Sequence, residues 1–374
     1  MTISVRRITL DPVVNITIAE SVINDFSRQD INQPVCLDLS HCRAIDIGAG
    51  YRLGNLLRRL SSAGELTVQL PPEHYTEQTG SPNLFHLFTR SGLGPAIARH
   101  AKVITSGNVD VSSSLKEYYT RTLSRPSQNS VYIADAHLGA VDLEDEARFA
   151  RLLTDLLRRV NVNVVTLDRR PLGDVIAFCF EATQNVLDHA AKSPLRDASS
   201  IFSYLALRYH AAASVPSEGD FAGYVKRAGR ELSATKPLHW LEIVVNDDGN
   251  GIPARQTQNP EIYWSSIQAE EEALGQALSH SSVKIRAGDS KIRGSVAGLG
   301  FTRIRNSLRQ LRAFASLRSG RCLATFDGLS TRRDEFYLHR GGFGLALGFM
   351  PGTAIQVVVP IIPDEKQQGL PFDQ

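Results

Sequence analysis

Glu181 and Asn185 stand four residues apart in the block Glu181-Ala-Thr-Gln-Asn185. They lie in a segment from about Leu172 to Ala190 whose apolar stripe, Val175, Cys179, Ala182 and Val186, has helical spacing. Side chains at i and i+4 stack on one side of a helix, so a carboxylate and an amide converge there on one small volume. The amide oxygen of Asn185 suits the octahedral oxygen shell of Mg²⁺, and the Glu181 carboxylate, one turn earlier, can take a proton from an attacking water or hydroxyl. A polar helix face that merely meets solvent has the same pattern, so the pair gains meaning only from what accompanies it.

Three further blocks follow in order. Trp240-Leu-Glu-Ile-Val-Val245 reads as a buried strand running into Asn246-Asp247-Asp248-Gly249-Asn250-Gly251-Ile252. A carboxylate delivered at a strand end beside permissive glycines can recognise the exocyclic amine of adenine while the backbone approaches the ring. Asp247 is the better candidate, because it takes first place in Asp-x-Gly-x-Gly; a plain tight turn is the competing explanation. Next, Gly294-Ser-Val-Ala-Gly298-Leu299-Gly300 precedes a helix with apolar positions Phe301, Ile304, Leu308 and Leu311. Free backbone N–H groups at that helix start, with glycines permitting close approach, form a phosphate cradle, and Lys284, Arg286, Lys291 and Arg293 lie just upstream. A last strand begins at Gly352-Thr353.

The four blocks resemble the N, G1, G2 and G3 boxes of the GHKL ATPase superfamily, over about Leu172 to Pro360. The resemblance implies a Bergerat fold, an α/β sandwich with a mixed sheet on one side, helices on the other, and Mg-ATP between the helical layer and a lid. It gives Glu181 as general base, Asn185 as Mg²⁺ ligand and Asp247 as the adenine carboxylate, with Gly249, Gly251 and Ile252 shaping its turn. Gly294, Gly298, Leu299 and Gly300 match the phosphate-facing lid segment, and Thr353 matches the hydroxyl near an adenine-bound water. Phe301 replaces a more usual Leu, and an insertion from about His210 to Pro237 stands where the minimal fold has a tight hairpin. The stretch from Ile252 to Gly294 lacks strand character and is long for a connection, as expected of a lid.

These blocks need elements to hold them, and the rest of the chain supplies candidates. At 374 residues the sequence is long enough for two or three domains. Val35–Leu39, the turn Asp46-Ile47-Gly48-Ala49-Gly50, the helical leucines Leu53, Leu56, Leu57 and Leu60, and Leu66–Leu70 make a strand, turn, helix and strand. Arg52, Arg58 and Arg59 occupy the other faces of that helix. A helix ending near Phe88 and a strand near Val103-Ile104 follow. This pattern resembles the STAS domain of anti-sigma-factor antagonists over residues 1–105. The turn at Gly48 holds no Ser or Thr, which excludes phosphorylation there and leaves docking or dimerisation; a small α/β domain outside that family is the alternative. Residues 106–143 read as a connecting region with a strand at Val131–Ala134. Residues 144–374 read as the ATP-binding domain, opening with a helix at Glu144–Val160 that either packs on it or makes a homodimer contact.

A formal net charge of +2 offers no electrostatic footprint for nucleic acid or an anionic membrane. The cysteines, Cys36, Cys42, Cys179 and Cys322, lack metal-ligand spacing and read as buried reduced thiols. The N-terminus lacks a secretory h-region, so a cytoplasmic protein is expected. The uncharged stretch Gly341–Pro363 is interrupted by Pro351-Gly352 and reads as two buried strands around a turn rather than a membrane span.

The expected function is a GHKL-type Mg-ATP-binding protein that hydrolyses ATP slowly or uses it as a conformational switch on a protein partner. One alternative is a Ser/Thr protein kinase of the anti-sigma type; another is a nucleotide sensor or scaffold without turnover. No His-bearing helix precedes Glu181, which disfavours autophosphorylation on His.

Overall fold

The structure is a computed structural model and describes residues 5–27, 33–71, 88, 91–124, 133–137, 146–160, 169–189, 202–210, 220–233, 237–279, 300–330, 335–339 and 347–362. In chain order its N-terminal part comprises β1 (Arg6–Thr9), β2 (Val13–Val14), α1 (Ile16–Ser27), β3 (Val35–Asp38), β4 (Ala44–Ile45), α2 (Ile47–Ala63), β5 (Leu66–Gln69), α3 (Leu93–Ala98), β6 (Lys102–Ile104) and α4 (Ser112–Ser124). Strands β1, β3, β5 and β6 form a parallel sheet in that order. Parallel neighbours require crossover connections, which α1 and α2 provide. Helix α2 starts where it does because the Asp46 carboxylate accepts the Gly48 N–H at 2.8 Å.

The second part comprises β7 (Ile133–His137), α5 (Glu146–Arg159), α6 (Arg169–His189), β8 (Ser203–His210), α7 (Asp220–Leu232), β9 (His239–Asp247), α8 (Gly251–Thr257), a 3₁₀ turn (Pro260–Trp264), α9 (Ile267–Leu278), α10 (Gly300–Gln310), β10 (Phe314–Gly320), β11 (Cys322–Asp327), β12 (Tyr337–Leu338) and β13 (Met350–Ile361). Its seven strands run in the order β12-β11-β10-β13-β9-β8-β7. Every pairing is antiparallel, which corrects the expectation of a mixed sheet. Helices α5 and α6 lie between β7 and β8, and α7 lies between β8 and β9, and both neighbouring pairs are antiparallel.

Strand alternation gives this sheet two different faces. Leu205, Leu207, Leu241, Ile243, Val245, Ala315, Leu317, Ile355, Val357 and Val359 point to one side, where they share a core with α5, α6 and α10. On the other side lie Phe202, Tyr204, Ala206, Val244, Met350 and Ala354, packed with the core of the N-terminal part. Helix α2 is the shared layer. Its leucines Leu53, Leu56, Leu57 and Leu60 are buried. Arg52, read from sequence as lying on a polar face, is 1% exposed against the second sheet. Gly54 permits this approach, since a Cβ there would lie 2.6 Å from the Phe202 ring.

Charge is therefore buried between the two parts. Glu20 receives Arg52 Nη1 at 2.8 Å and Arg318 Nε at 3.1 Å, and Arg52 also donates to Ser316 at 3.3 Å. Gln356 donates to Asp46 at 3.0 Å and to Glu242 at 2.6 Å, and His210 bonds the other Glu242 oxygen at 2.8 Å. The turn at Gly48 is thus covered by β13: a Cβ on Gly48 would overlap the Gln356 amide.

Other expectations need correction. Residues 106–143 contain α4 and β7, and β7 is the edge of the seven-stranded sheet. The insertion after His210 carries α7, whose Phe221, Tyr224 and Ala228 pack on Trp240, Phe314 and Val358. The segment from Gly251 to Leu278 contains helical turns and no strand, as its sequence suggests; Ala254, Ile262, Tyr263 and Ala273 form their own buried cluster. Residues 280–299 lie outside the described residues. Pro351-Gly352 is no turn between two strands, because β13 runs through it. The register slips opposite it, between Ser319 and Gly320.

Gly352 has φ of +74°, and a Cβ there would overlap the Asp247 carbonyl. Gly352→Ala is accordingly expected to destabilise the protein by at least about 2 kcal/mol, read as a lower urea midpoint. The helix at 144–160 and the cysteines match expectation: α5 buries Phe149, Leu153, Leu156 and Leu157, and all four cysteines are buried free thiols. Among the described residues, no helix is long and apolar enough to cross a membrane.

Candidate functional site

At one end of the helix-covered face the apolar alternation gives way to polar residues. Ser203 pairs with Asp247, Asp247 with Thr353, and Thr353 with Ser319, so four polar side chains form a row across β8, β9, β13 and β10. The row continues the inward-facing positions of the core strands, which places it beneath the helical layer. Asp247 and Thr353 are marked by their sequence blocks. Ser203 and Ser319 carry no such mark, because only strand pairing brings them level with the other two.

Asp247 is 4% exposed. Its carboxylate accepts the Gly249 N–H at 2.8 Å and a backbone bond from Thr353. Burial, helped by the neighbouring charge of Asp248, outweighs those bonds and pushes its pKa up to about 7. Asp248 instead braces the backbone, accepting the Phe202 N–H at 2.9 Å and pairing with Arg58 at 3.4 Å.

The turn after β9 is tightly built. Gly251 has φ of +76°, and a Cβ there would meet the Tyr263 hydroxyl at 2.5 Å and Ser319 Oγ at 2.9 Å. Ser319 Oγ accepts the Ile252 N–H at 2.9 Å, donates to the Gly352 carbonyl at 3.1 Å and lies 3.1 Å from Thr353 Oγ1. Tyr263 donates to the Asn250 carbonyl at 2.5 Å. Ile252 packs against the main core.

Glu181 and Asn185 are on α6, held by Val175, Phe178, Cys179 and Ala182 in that core. Helix α10 packs on α6 and begins beside them: a Cβ on Gly300 would lie 3.2 Å from Asn185 Oδ1 and 3.6 Å from Glu181 Oε2. The block at Gly300 and the block at Glu181 therefore meet in space. Asn185 Nδ2 is buried and has no hydrogen-bond partner among the described residues. Glu181, 8% exposed, is ion-paired through Oε1 to Arg303 Nη1 at 2.5 Å. Arg303 sits one turn into α10, is 60% exposed, and has its own pKa raised by this bond. No sequence signal marked it.

Gly294, Gly298, Leu299 and the upstream cluster Lys284, Arg286, Lys291 and Arg293 lie outside the described residues. A surface cleft lined by Glu271, Glu272, Gly275, Gln276, Ser279 and Leu338 shares no residue with the site. No family model matches this chain, and no curated protein or solved structure matches it significantly.

Proposed function

We propose that the chain is a Mg-ATP-binding protein of GHKL type, a slow ATPase or ATP-driven switch acting on a protein partner. The observation that carries this reading is the convergence of Glu181 and Asn185 on α6 with the start of α10 at Gly300, on the sheet face whose end carries Asp247 and Thr353. A nucleotide bound there has its adenine amine at Asp247 and its phosphates toward the N-terminus of α10, where unpaired N–H groups favour anions.

The residues present fit Mg²⁺. Asn185 offers its amide oxygen, Oδ1, beside the Glu181 carboxylate at the start of α10. A magnesium ion that rides on phosphates needs only one or two protein oxygens. When bound, it neutralises charge on the phosphate oxygens. Asn185 would hold it, Glu181 would accept the proton of the attacking hydroxyl, and the packed α6–α10 contact would keep the two in register.

The ion pair with Arg303 holds the Glu181 carboxylate through Oε1 and so restrains its approach to an attacking water, with Oε2 left toward Gly300. Arg303→Ala is therefore expected to raise phosphate release severalfold at little cost in stability, since the arginine is largely exposed. Unchanged or lower turnover in a phosphate-release assay would refute a restraining role.

Calorimetric titration of the full chain with Mg-ATP and Mg-GTP tests the reading as a whole. ATP is expected to bind at least about tenfold more tightly, because guanine presents a carbonyl oxygen where adenine presents an amine to the buried carboxylate. Absence of ATP binding, or equal affinity for the two nucleotides, would sink it.

A further inference from the structure

We propose that Asn55, on α2 of the N-terminal part, is a positioning residue for the adenine-binding strand end, so that the N-terminal part sets nucleotide affinity without touching nucleotide. The inference rests on the reading of Asp247 as the adenine carboxylate.

Asn55 is fully buried. Its Nδ2 reaches the Asp247 carbonyl at 2.8 Å, the Pro351 carbonyl at 3.1 Å and Asn246 Oδ1 at 3.1 Å, and its Oδ1 accepts Asn246 Nδ2 at 2.8 Å. One side chain thus ties the last residues of β9 to β13 immediately before Gly352-Thr353. Neighbours at helical spacing extend the clamp: Arg58 pairs with Asp248 at 3.4 Å, and Arg59 stacks 5.3 Å from the Phe349 ring centroid. Asn246 faces α2 while Asp247 faces the helical layer, so the bonds from α2 fix the twist of the strand end on which the Asp247 carboxylate is aimed. Truncating Asn55 leaves two buried carbonyls and the Asn246 amide short of partners, and the strand end must shift to recover them. Coupling of this kind is reciprocal: bound nucleotide must in turn steady α2.

The test uses the full chain with Asn55→Ala, the milder Asn55→Ser, and Leu60→Ala, which removes buried apolar contact on the same helix but no hydrogen bond to β9 or β13. At a temperature where each variant is folded, both Asn55 changes are expected to weaken Mg-ATP binding at least about tenfold and to reduce the preference over GTP. Leu60→Ala is expected to lower the Tm and leave ATP affinity unchanged. In the wild type, ATP is expected to slow amide hydrogen exchange in α2. Wild-type ATP affinity in the Asn55 variants, an equal loss in Leu60→Ala, or α2 exchange indifferent to ATP would each overturn the proposal. A wild type that binds no ATP, or an Asp247→Asn variant that binds it unchanged, would instead overturn the site reading beneath it.

Discussion

Replacing Glu181 by Gln is expected to lower phosphate release from Mg-ATP by about 10²–10⁴-fold, the usual contribution of a positioned general base. ATP affinity should remain close to that of the wild type, because the amide keeps the shape of the side chain. Glu181 is 8% exposed in a wall built by α6 and the start of α10, so the substitution removes proton-accepting capacity rather than packing. The Arg303 ion pair disappears with it, but that pair is largely solvent-exposed on the arginine side and contributes little to stability. Single-turnover phosphate release beside equilibrium ATP binding separates the two effects. Full turnover in Glu181→Gln would remove this residue from the chemistry, and loss of binding without loss of turnover per bound ATP would recast it as a ligand contact.

If Asp247 is the adenine carboxylate, as proposed, nucleotide affinity is expected to rise with pH through about 7 and level off above it, because the ionised carboxylate is the stronger acceptor for the adenine amine and burial holds its pKa up to about 7. Below that value binding should release a proton, detectable as a dependence of the calorimetric heat on the buffer's ionisation enthalpy. Asp247→Asn should weaken ATP strongly and flatten the pH profile. Stability should move the opposite way. The folded carboxyl binds its proton more tightly than the unfolded one, whose ordinary pKa is 3.8, so its contribution falls as pH rises from about 4 to 7. Asn at this position should therefore remove part of the loss of stability between about pH 4 and 7. It should not remove all of it, since Asp46, buried and hydrogen-bonded to Glu242, is also pushed up to about 7. An Asp247→Asn variant with wild-type pH dependence of ATP binding would refute the assignment.

The blocks around Glu181, Asp247, Gly300 and Thr353 are legible in the sequence because each is local: a helical i, i+4 pair, a strand-end turn, a helix start and a Gly-Thr pair within a strand. Strand β9 and helices α5, α6 and α10 are legible for a similar reason, since their apolar period is carried within one segment. Arg52 and Asn55 are not. On a helix, a polar side chain that will meet solvent and one that will be buried against a second sheet have the same spacing, and only the partner decides. Segment 251–278 has the look of a lid in sequence because its short helical turns bury a small cluster of their own instead of joining a long amphipathic stripe. The antiparallel course of the whole sheet is hidden because strand direction depends on which strands become neighbours, above all on the insertion of β13 between β9 and β10.

The amino-acid sequence by itself determined the chemical groups and their local geometry: a carboxylate and an amide on one helix face, an acidic strand end, glycines where the backbone must turn. Tertiary structure decided what those groups meet. It set Ser203, Asp247, Thr353 and Ser319 in one row, brought Gly300 against Asn185, gave Glu181 to Arg303, and laid α2 across the back of the sheet, where Asn55 bonds the Asp247 backbone. Periodicity is a property of one segment, whereas strand register and the burial of charge depend on which segments pack together.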